Sequence, residues 1–268
     1  MGDSANVITL KGVSKDYGDF KLDNVSFSVP EGSVCGFIGQ NGAGKTTTIR
    51  IILDAINRDG GEVYVFGKSM DKDSAAVREE IGVVFDEMGF HDFLSAAQIN
   101  TIMKNIYKNW NQEKYFKYLK RFSLPAKKAC RSFSRGMRMK LQIFREFVVE
   151  EDHTILLSSH ITGDLEKLAD EVVFIDGGKI ILQGNKDELL EKHGILRCKK
   201  DEVEIINKDL VVSAEISSLG AEVLVNDRKA AEKMYPQMIV EPAGLEEIMI
   251  HYVNREKGYQ MPQMAAQK

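Results

Sequence analysis

Residues Gly39-Gln40-Asn41-Gly42-Ala43-Gly44-Lys45-Thr46 satisfy the pattern GxxxxGK[ST] at every fixed position. The preceding run Ser33–Ile38 (SVCGFI) reads as an apolar strand. The following run Thr46–Ala55 (TTTIRIILDA) sets Ile49, Ile52 and Leu53 on one face of a helix. Glycines let the chain curl so that successive N–H groups point inward at phosphate oxygens. A helix starting at Lys45 adds the positive end of its dipole. Lys45 is placed to reach the β- and γ-phosphates as a point charge, and the Thr46 hydroxyl to ligate Mg²⁺. At average residue usage such a match arises by chance on the order of once in a hundred chains of this size. The strand before and the helix after supply the confirming context. A site for a nucleoside triphosphate is expected.

The rest of the composition agrees with a well-cored protein. The chain has 268 residues, 43% apolar and 28% charged, with a net charge of −4. These values exclude a disordered or fibrous chain and leave ample length for a core. The mildly acidic balance argues against a dedicated nucleic-acid partner. No apolar run reaches the length of a membrane span, and the opening MGDSANVITLK lacks the pattern of a secretory or transit peptide. Cys35, Cys130 and Cys198 have no CxxC spacing, so a reduced, cytosolic chain with small buried thiols is expected.

Outward from the glycine-rich segment, Val7–Leu10 and Val25–Val29 read as strands, the second ended by Pro30-Glu31-Gly32. Gly60-Gly61 punctuates before Glu62–Phe66. Ile81–Phe85 is an apolar strand after a charged helical segment. Two amphipathic helices, rich in Lys, Tyr and Asn, run from about Ser95 to Phe122, where Pro125 closes the second. A third runs from Gly136 to Val149. Strands Thr154–Leu157 and Val172–Ile175 follow, with a helix around Asp164–Ala169 between them. Beyond Ile195 come short strands, Glu202–Ile206 and Glu222–Val225, an apolar-faced helix Leu245–Val253 and a polar tail after Glu256. The pattern is α/β with an inserted helical piece and a small C-terminal addition.

Several further segments resemble the ATP-binding cassette (ABC) ATPases over about residues 5 to 190. Tyr17, in SKDYGDF, stands where that family stacks an aromatic on adenine. Phe133-Ser134-Arg135-Gly136-Met137 resembles the LSGGQ signature, in which Ser134 and Gly136 would bind the γ-phosphate held by a second protomer. Arg135 and Met137 depart from the usual Gly and Gln, and Ser134 also has the character of a helix N-cap. Ser158-Ser159-His160 resembles the switch histidine that contacts the γ-phosphate and the attacking water. In Phe85-Asp86-Glu87 the position of the family's Q-loop glutamine is held by Asp86, which can still meet Mg²⁺ through oxygen. The stretch Val83–Glu87 also has the form of a Walker B strand, but it precedes the helical insertion, where the family has no Walker B. His91, His153, His193 and His251 show no ligand spacing and read as surface or packing residues.

The resemblance implies a P-loop NTPase of ABC type: a mixed sheet, an inserted helical subdomain and a small α+β C-terminal appendage. The domains would be a nucleotide-binding domain 1–195, with its helical subdomain at about 93–146, and an appendage 196–268. It implies ATP and Mg²⁺ as ligands. Tyr17, Gly39, Asn41, Gly42, Gly44, Lys45, Thr46, Thr47, Ser134 and Gly136 would contact nucleotide, Thr46 and Asp86 the metal, and His160 with Asp86 the reacting groups. It also implies a separate transmembrane permease, a second ABC subunit, a place at the cytoplasmic face of the membrane and a role in export.

One part of the family pattern is missing. Gly136 and His160 are 24 residues apart, whereas a βα unit with its return strand needs about 30 or more. No run of apolar residues ending in Asp-Glu falls in this interval, so the Walker B strand and D-loop have no place. GMRMKLQI looks like the start of the signature helix and FREFVVEEDHTILLSSH like the end of a later one, which puts a join near Ile143–Phe144. Loss of the water-orienting carboxylate costs about 10²–10⁴ in rate. The missing strand would leave a gap in the sheet or a changed strand order. The alternative reading is therefore a degenerate, non-hydrolysing partner. A P-loop kinase would instead need an acceptor-binding lid and would make FSRGM and SSH accidental.

Overall fold

The computed structural model describes residues 6–82, 92–106, 110–134, 137, 138, 141, 154–159, 166, 169–218 and 220–256. Strands β1 (Asn6–Asp16), β2 (Lys21–Pro30), β4 (Gly60–Val65) and β5 (Lys68–Ser69) form an antiparallel sheet in the order β2-β1-β4-β5. In β2 the alternation Val25, Phe27, Val29 faces the core, while Leu22, out of phase, is buried as well. The register against β1 shifts between Val13 and Lys15, and Asn24 takes a φ of 54°. That bulge turns two apolar side chains three residues apart to the same face.

The second sheet carries the glycine-rich segment. Strand β3 (Val34–Ile38) pairs in parallel with β6 (Ile155–Ser159) on one side and β7 (Glu171–Asp176) on the other, and β8 (Lys179–Asn185) adds an antiparallel edge, in the order β6-β3-β7-β8. Cys35, Phe37, Ile38 and Val172 to Ile175 are all buried. Such continuous apolar runs suit parallel strands covered on both faces. The strand leading to His160 pairs residue for residue with β3, so no gap opens beside the glycine-rich loop. Helix α1 (Lys45–Ile52) follows that loop and α2 (Met70–Arg78) follows β5.

C-terminal to β8 come α5 (Lys186–Lys192), β9 (Gly194–Cys198), β10 (Val211–Ser217), β11 (Gly220–Val225), α6 (Arg228–Met234), β12 (Ile239–Pro242) and α7 (Leu245–Glu256). The four strands form an antiparallel sheet, β10-β11-β9-β12. The expected strand Glu202–Ile206 is instead a 3-10 turn, Lys200–Ile205. EVEII offers period two and spacing three alike, and burial decides: Val203 and Ile206 both point into the core beside Leu196 and Val223. The Glu202 carboxylate accepts the Lys199 N–H at 2.8 Å and starts the turn. The last helix packs Leu245 and Ile248 into one cluster with Ile38, Val172 and Phe174.

Contacts divide the chain into two compact units, residues 1–74 with 154–268, and residues 75–153. In the second, α3 (Ala96–Ile106) and α4 (Gln112–Arg121) bury Ile99, Met103, Tyr115 and Leu119 together with Cys130, Phe133 and Leu141. The Tyr115 hydroxyl donates to the Ala96 carbonyl at 3.0 Å, and the Trp110 indole N–H to Asn100 Oδ1 at 2.9 Å. Both polar tips are thereby satisfied inside an apolar cluster. Cys35 and Cys130 are buried and Cys198 half-buried, all three free thiols. His193 and His251 are buried packing residues, and His91 and His153 lie outside the described residues.

Candidate functional site

Strand β3 ends at Ile38 and α1 begins at Lys45, leaving Gly39–Gly44 as a tight loop. The Ala43 N–H donates to the Gln40 carbonyl at 3.1 Å, and the Thr48 N–H and hydroxyl both donate to the Gly44 carbonyl at 2.9 Å. Gly44 has φ +113°, a conformation that L side chains avoid. A Cβ on Gly39 would lie 2.3 Å from the Ile175 carbonyl oxygen, so only glycine lets the loop seat on β7. Thr48 is fully buried, whereas Asn41, Gly42 and Thr46 are exposed and Thr47 half-buried. Thr46 is therefore solvent-exposed on the first turn, as a candidate Mg²⁺ ligand must be.

No side chain caps the N-terminus of α1. Helix α4 is capped by Asn111, α5 by Asn185 and α6 by Asp227. The first-turn N–H groups of α1 are thus left without an acidic or hydroxyl cap at the end of the helix where the dipole favours an anion. The Lys45 ammonium folds back over the loop and donates to the carbonyls of Gly39 at 2.6 Å and Gln40 at 2.9 Å. Partial burial pushes its pKa below the ordinary lysine value. A phosphate would return the missing counter-charge to this ammonium. The loop fits a polyphosphate on three counts: an uncapped helix start, a bent-back cation and glycines held open.

The turn after β1 lies against the same loop. The Tyr17 N–H donates to the Phe20 carbonyl at 2.9 Å and Tyr17 is 51% exposed, with the Lys15 ammonium 5.7 Å from its ring centroid. A Cβ on Gly44 would meet Phe20 Cζ at 3.1 Å and Leu22 Cδ1 at 3.0 Å. The structure thus brings the Tyr17 turn and the glycine-rich loop together, as a base-and-phosphate site requires. Phe20, Leu22, Ile175 and Gly178, whose N–H donates to the Ala43 carbonyl at 3.0 Å, form the wall behind the loop. Sequence reading missed all four. Only the breaker pair Gly177-Gly178 left a visible signal, and it does not tell which carbonyl the turn will reach.

In the other unit, Phe133 is buried and Ser134 exposed. The Met137 N–H donates to Ser134 Oγ at 3.2 Å and the Arg138 N–H to the Ser134 carbonyl at 3.0 Å. Ser134 is therefore an N-cap, worth about 1 kcal/mol to its helix. Gly136, Asp86 and His160 lie outside the described residues, as do Val83–Glu87 and the Ile143–Phe144 join.

A profile described as ABC transporter matches residues 22–157. The chain is 30% identical over 226 residues to the ABC transporter ATP-binding protein NatA of Bacillus subtilis, covering 69% of this chain and 92% of that protein. It is 27% identical over 230 residues to the daunorubicin resistance ATP-binding protein DrrA3 of Streptomyces coeruleorubidus, covering 72% of each. A solved ATP-binding subunit of an ABC transporter shares its fold at a TM-score of 0.58 and 21% identity, over 68% of this chain and 91% of that one. With the profile spanning half the chain around an uncapped, lysine-bearing phosphate loop, this chain belongs to the ABC transporter family, as an ATP-binding cassette.

Proposed function

We propose that the chain binds Mg·ATP at Gly39–Thr47, with adenine on Tyr17, and turns it over slowly. The observation that carries this reading is the contrast at helix starts: α1, behind the glycine-rich loop, has no side-chain cap and has Lys45 folded onto the loop. Lys45 would neutralise the β- and γ-phosphates, the first-turn N–H groups of α1 would hold their oxygens, and Thr46, with Asp86, would hold the metal. Bound Mg²⁺ supplies charge neutralisation across the phosphates. Ser134 and Gly136 would be lent to the loop of a second ABC subunit, and His160 would meet the γ-phosphate. The domain division would be a nucleotide-binding domain 1–195 with its helical part at about 93–146, and an appendage 196–268.

Export is the favoured direction, since one relative is named for drug resistance. No helix among the described residues is long and apolar enough to cross a membrane. A separate permease would then carry the substrate, with this chain peripheral on the cytoplasmic face. The short interval Gly136–His160 favours a second reading, a nucleotide-binding partner whose own turnover is lost. Equilibrium binding of a fluorescent ATP analogue with Mg²⁺ tests the first statement: saturable binding is expected, and its loss in Lys45→Ala places it at this loop.

A further inference from the structure

The Tyr17 turn and the phosphate loop are apart in sequence, and besides the packing of Phe20 and Leu22 on Gly44, one glycine hydrogen-bonds both the loop and the strand that follows the turn. Gly178 lies in the turn between β7 and β8. Its N–H donates to the Ala43 carbonyl at 3.0 Å, inside the loop, and its carbonyl accepts the Asp23 N–H at 2.9 Å, at the start of β2 just after the Tyr17 turn. Its φ is +78°, and a Cβ there would fall 1.9 Å from the Lys21 carbonyl oxygen and 3.1 Å from Leu22 Cα. Both obstacles are backbone, so neither can rotate away. The neighbouring Gly177 differs: its φ is +52° and nothing stands within 4 Å of where its Cβ would be. Across the same turn the Asp23 carboxylate bridges the ammonium groups of Lys21 and Lys179, each at 3.5 Å.

We propose that Gly178 is a positioning residue for nucleotide binding, fixing the phosphate loop through Ala43 and the adenine-side turn through Asp23 in one register. This rests on the reading of Gly39–Thr47 as a Mg·ATP site. A side chain at 178 must push β2 away from the β7–β8 turn. That strains the bond to Ala43 and displaces the N–H groups that face phosphate. Displacement of the loop weakens every ligand that carries the phosphates, with or without a base. A glycine needed only to make the turn would behave like Gly177.

The test compares Gly178→Ala with Gly177→Ala in the full chain, measuring Kd for Mg·ATP and for inorganic tripolyphosphate well below each variant's melting temperature. Gly178→Ala is expected to raise both constants about tenfold or more, and Gly177→Ala to change them less than about threefold. Tyr17→Ala is the reference, weakening ATP alone. Should Gly178→Ala not fold, Asp23→Ala decides: it keeps the backbone bond and removes the ion pairs to Lys21 and Lys179. It is expected to raise Kd about two- to fivefold at low salt, an effect lost near 0.5 M salt. Unchanged constants in folded Gly178→Ala, equal effects of the two glycine variants, or an unchanged Kd in Asp23→Ala would each overturn the proposal. Failure of the unmutated chain to bind Mg·ATP would overturn the reading of the loop itself.

Discussion

Two helix starts in this molecule face the same kind of ligand in the family's chemistry and are built in opposite ways. At α1 no side chain serves the first-turn N–H groups, and the preceding residue is a glycine at φ +113°. At Ser134 the hydroxyl itself accepts the Met137 N–H, so a side chain already serves this helix start. The first start is held by tertiary contacts, Gly39 on Ile175 and Ala43 to Gly178, and leaves its donors for something external. The second is closed by one local hydrogen bond. An anion arriving at Ser134 must displace or share that bond, whereas one arriving at α1 meets first-turn N–H groups that no side chain caps, beside an ammonium that now bonds only the loop's own carbonyls of Gly39 and Gln40. On the proposed reading the phosphate loop would bind the ligand first, and the Ser134 segment would contribute only beside a ligand already held elsewhere.

The largest effect expected on this comparison comes from Lys45→Ala. Loss of the Lys45 ammonium over the loop should weaken Mg·ATP binding by about a hundredfold or more, read by titration with a fluorescent analogue. Retained tight binding would remove the loop from the account. Next is Tyr17→Ala, where loss of base stacking should cost about 1–3 kcal/mol of ATP affinity. Because Tyr17 is half exposed, the melting temperature of the unliganded protein should stay unchanged. A smaller change is expected for Ser134→Ala: about 1 kcal/mol of local helix stability, with ATP binding to the isolated chain unaltered. Its readout is hydrogen exchange at Met137 and Arg138. An equal loss of ATP affinity would break the contrast between the two helix starts.

The smallest expected effect is a pH slope, and it comes from outside both helix starts. Burial lowers the pKa of His193 and His251 below the ordinary value of 6.5. His193 bonds the Leu189 carbonyl and the Tyr252 hydroxyl, with Lys192 nearby, and His251 bonds Ser213 Oγ at 2.7 Å, with Glu215, Glu222 and Glu247 around it. The unfolded chain takes up protons at these sites before the folded one does. The stability they confer is therefore complete above pH 6.5 and falls as the pH drops below it. Urea midpoints at pH 7.5 and pH 5 should show that loss, and His251→Gln should flatten it. Nucleotide affinity measured on folded protein should follow a different profile.

How much of this was legible in the sequence follows from whether the controlling interaction is local. The loop pattern, the strand before it and the helix after it are encoded within neighbouring residues, and β3 and α1 appear where they were expected. Ser134 as an N-cap is likewise local. The wall behind the loop was not legible, because Phe20 and Leu22 come from β2 and the turn before it, Ile175 and Gly178 from β7 and the turn after it, and none carries a motif. The segment Glu202–Ile206 was misread as a strand because EVEII satisfies two periods, and the choice fell to packing against β9 and β11. The bulge at Asn24 was hidden for the same reason: period-two counting places Leu22 on the wrong face, and only the register against β1 returns it to the core.

The phosphate loop matches its pattern at every fixed position, while the interval from Gly136 to His160 holds no apolar run ending in Asp-Glu to supply the family's hydrolytic carboxylates. The most direct test measures binding and turnover of Mg·ATP on one preparation of the unmutated chain, with Lys45→Ala beside it. Saturable binding that Lys45→Ala abolishes is expected, with turnover about 10²–10⁴ below that of an ATPase retaining its water-orienting carboxylate. Turnover at an ordinary ATPase rate that Lys45→Ala removes would mean that this chain hydrolyses ATP without the missing segment.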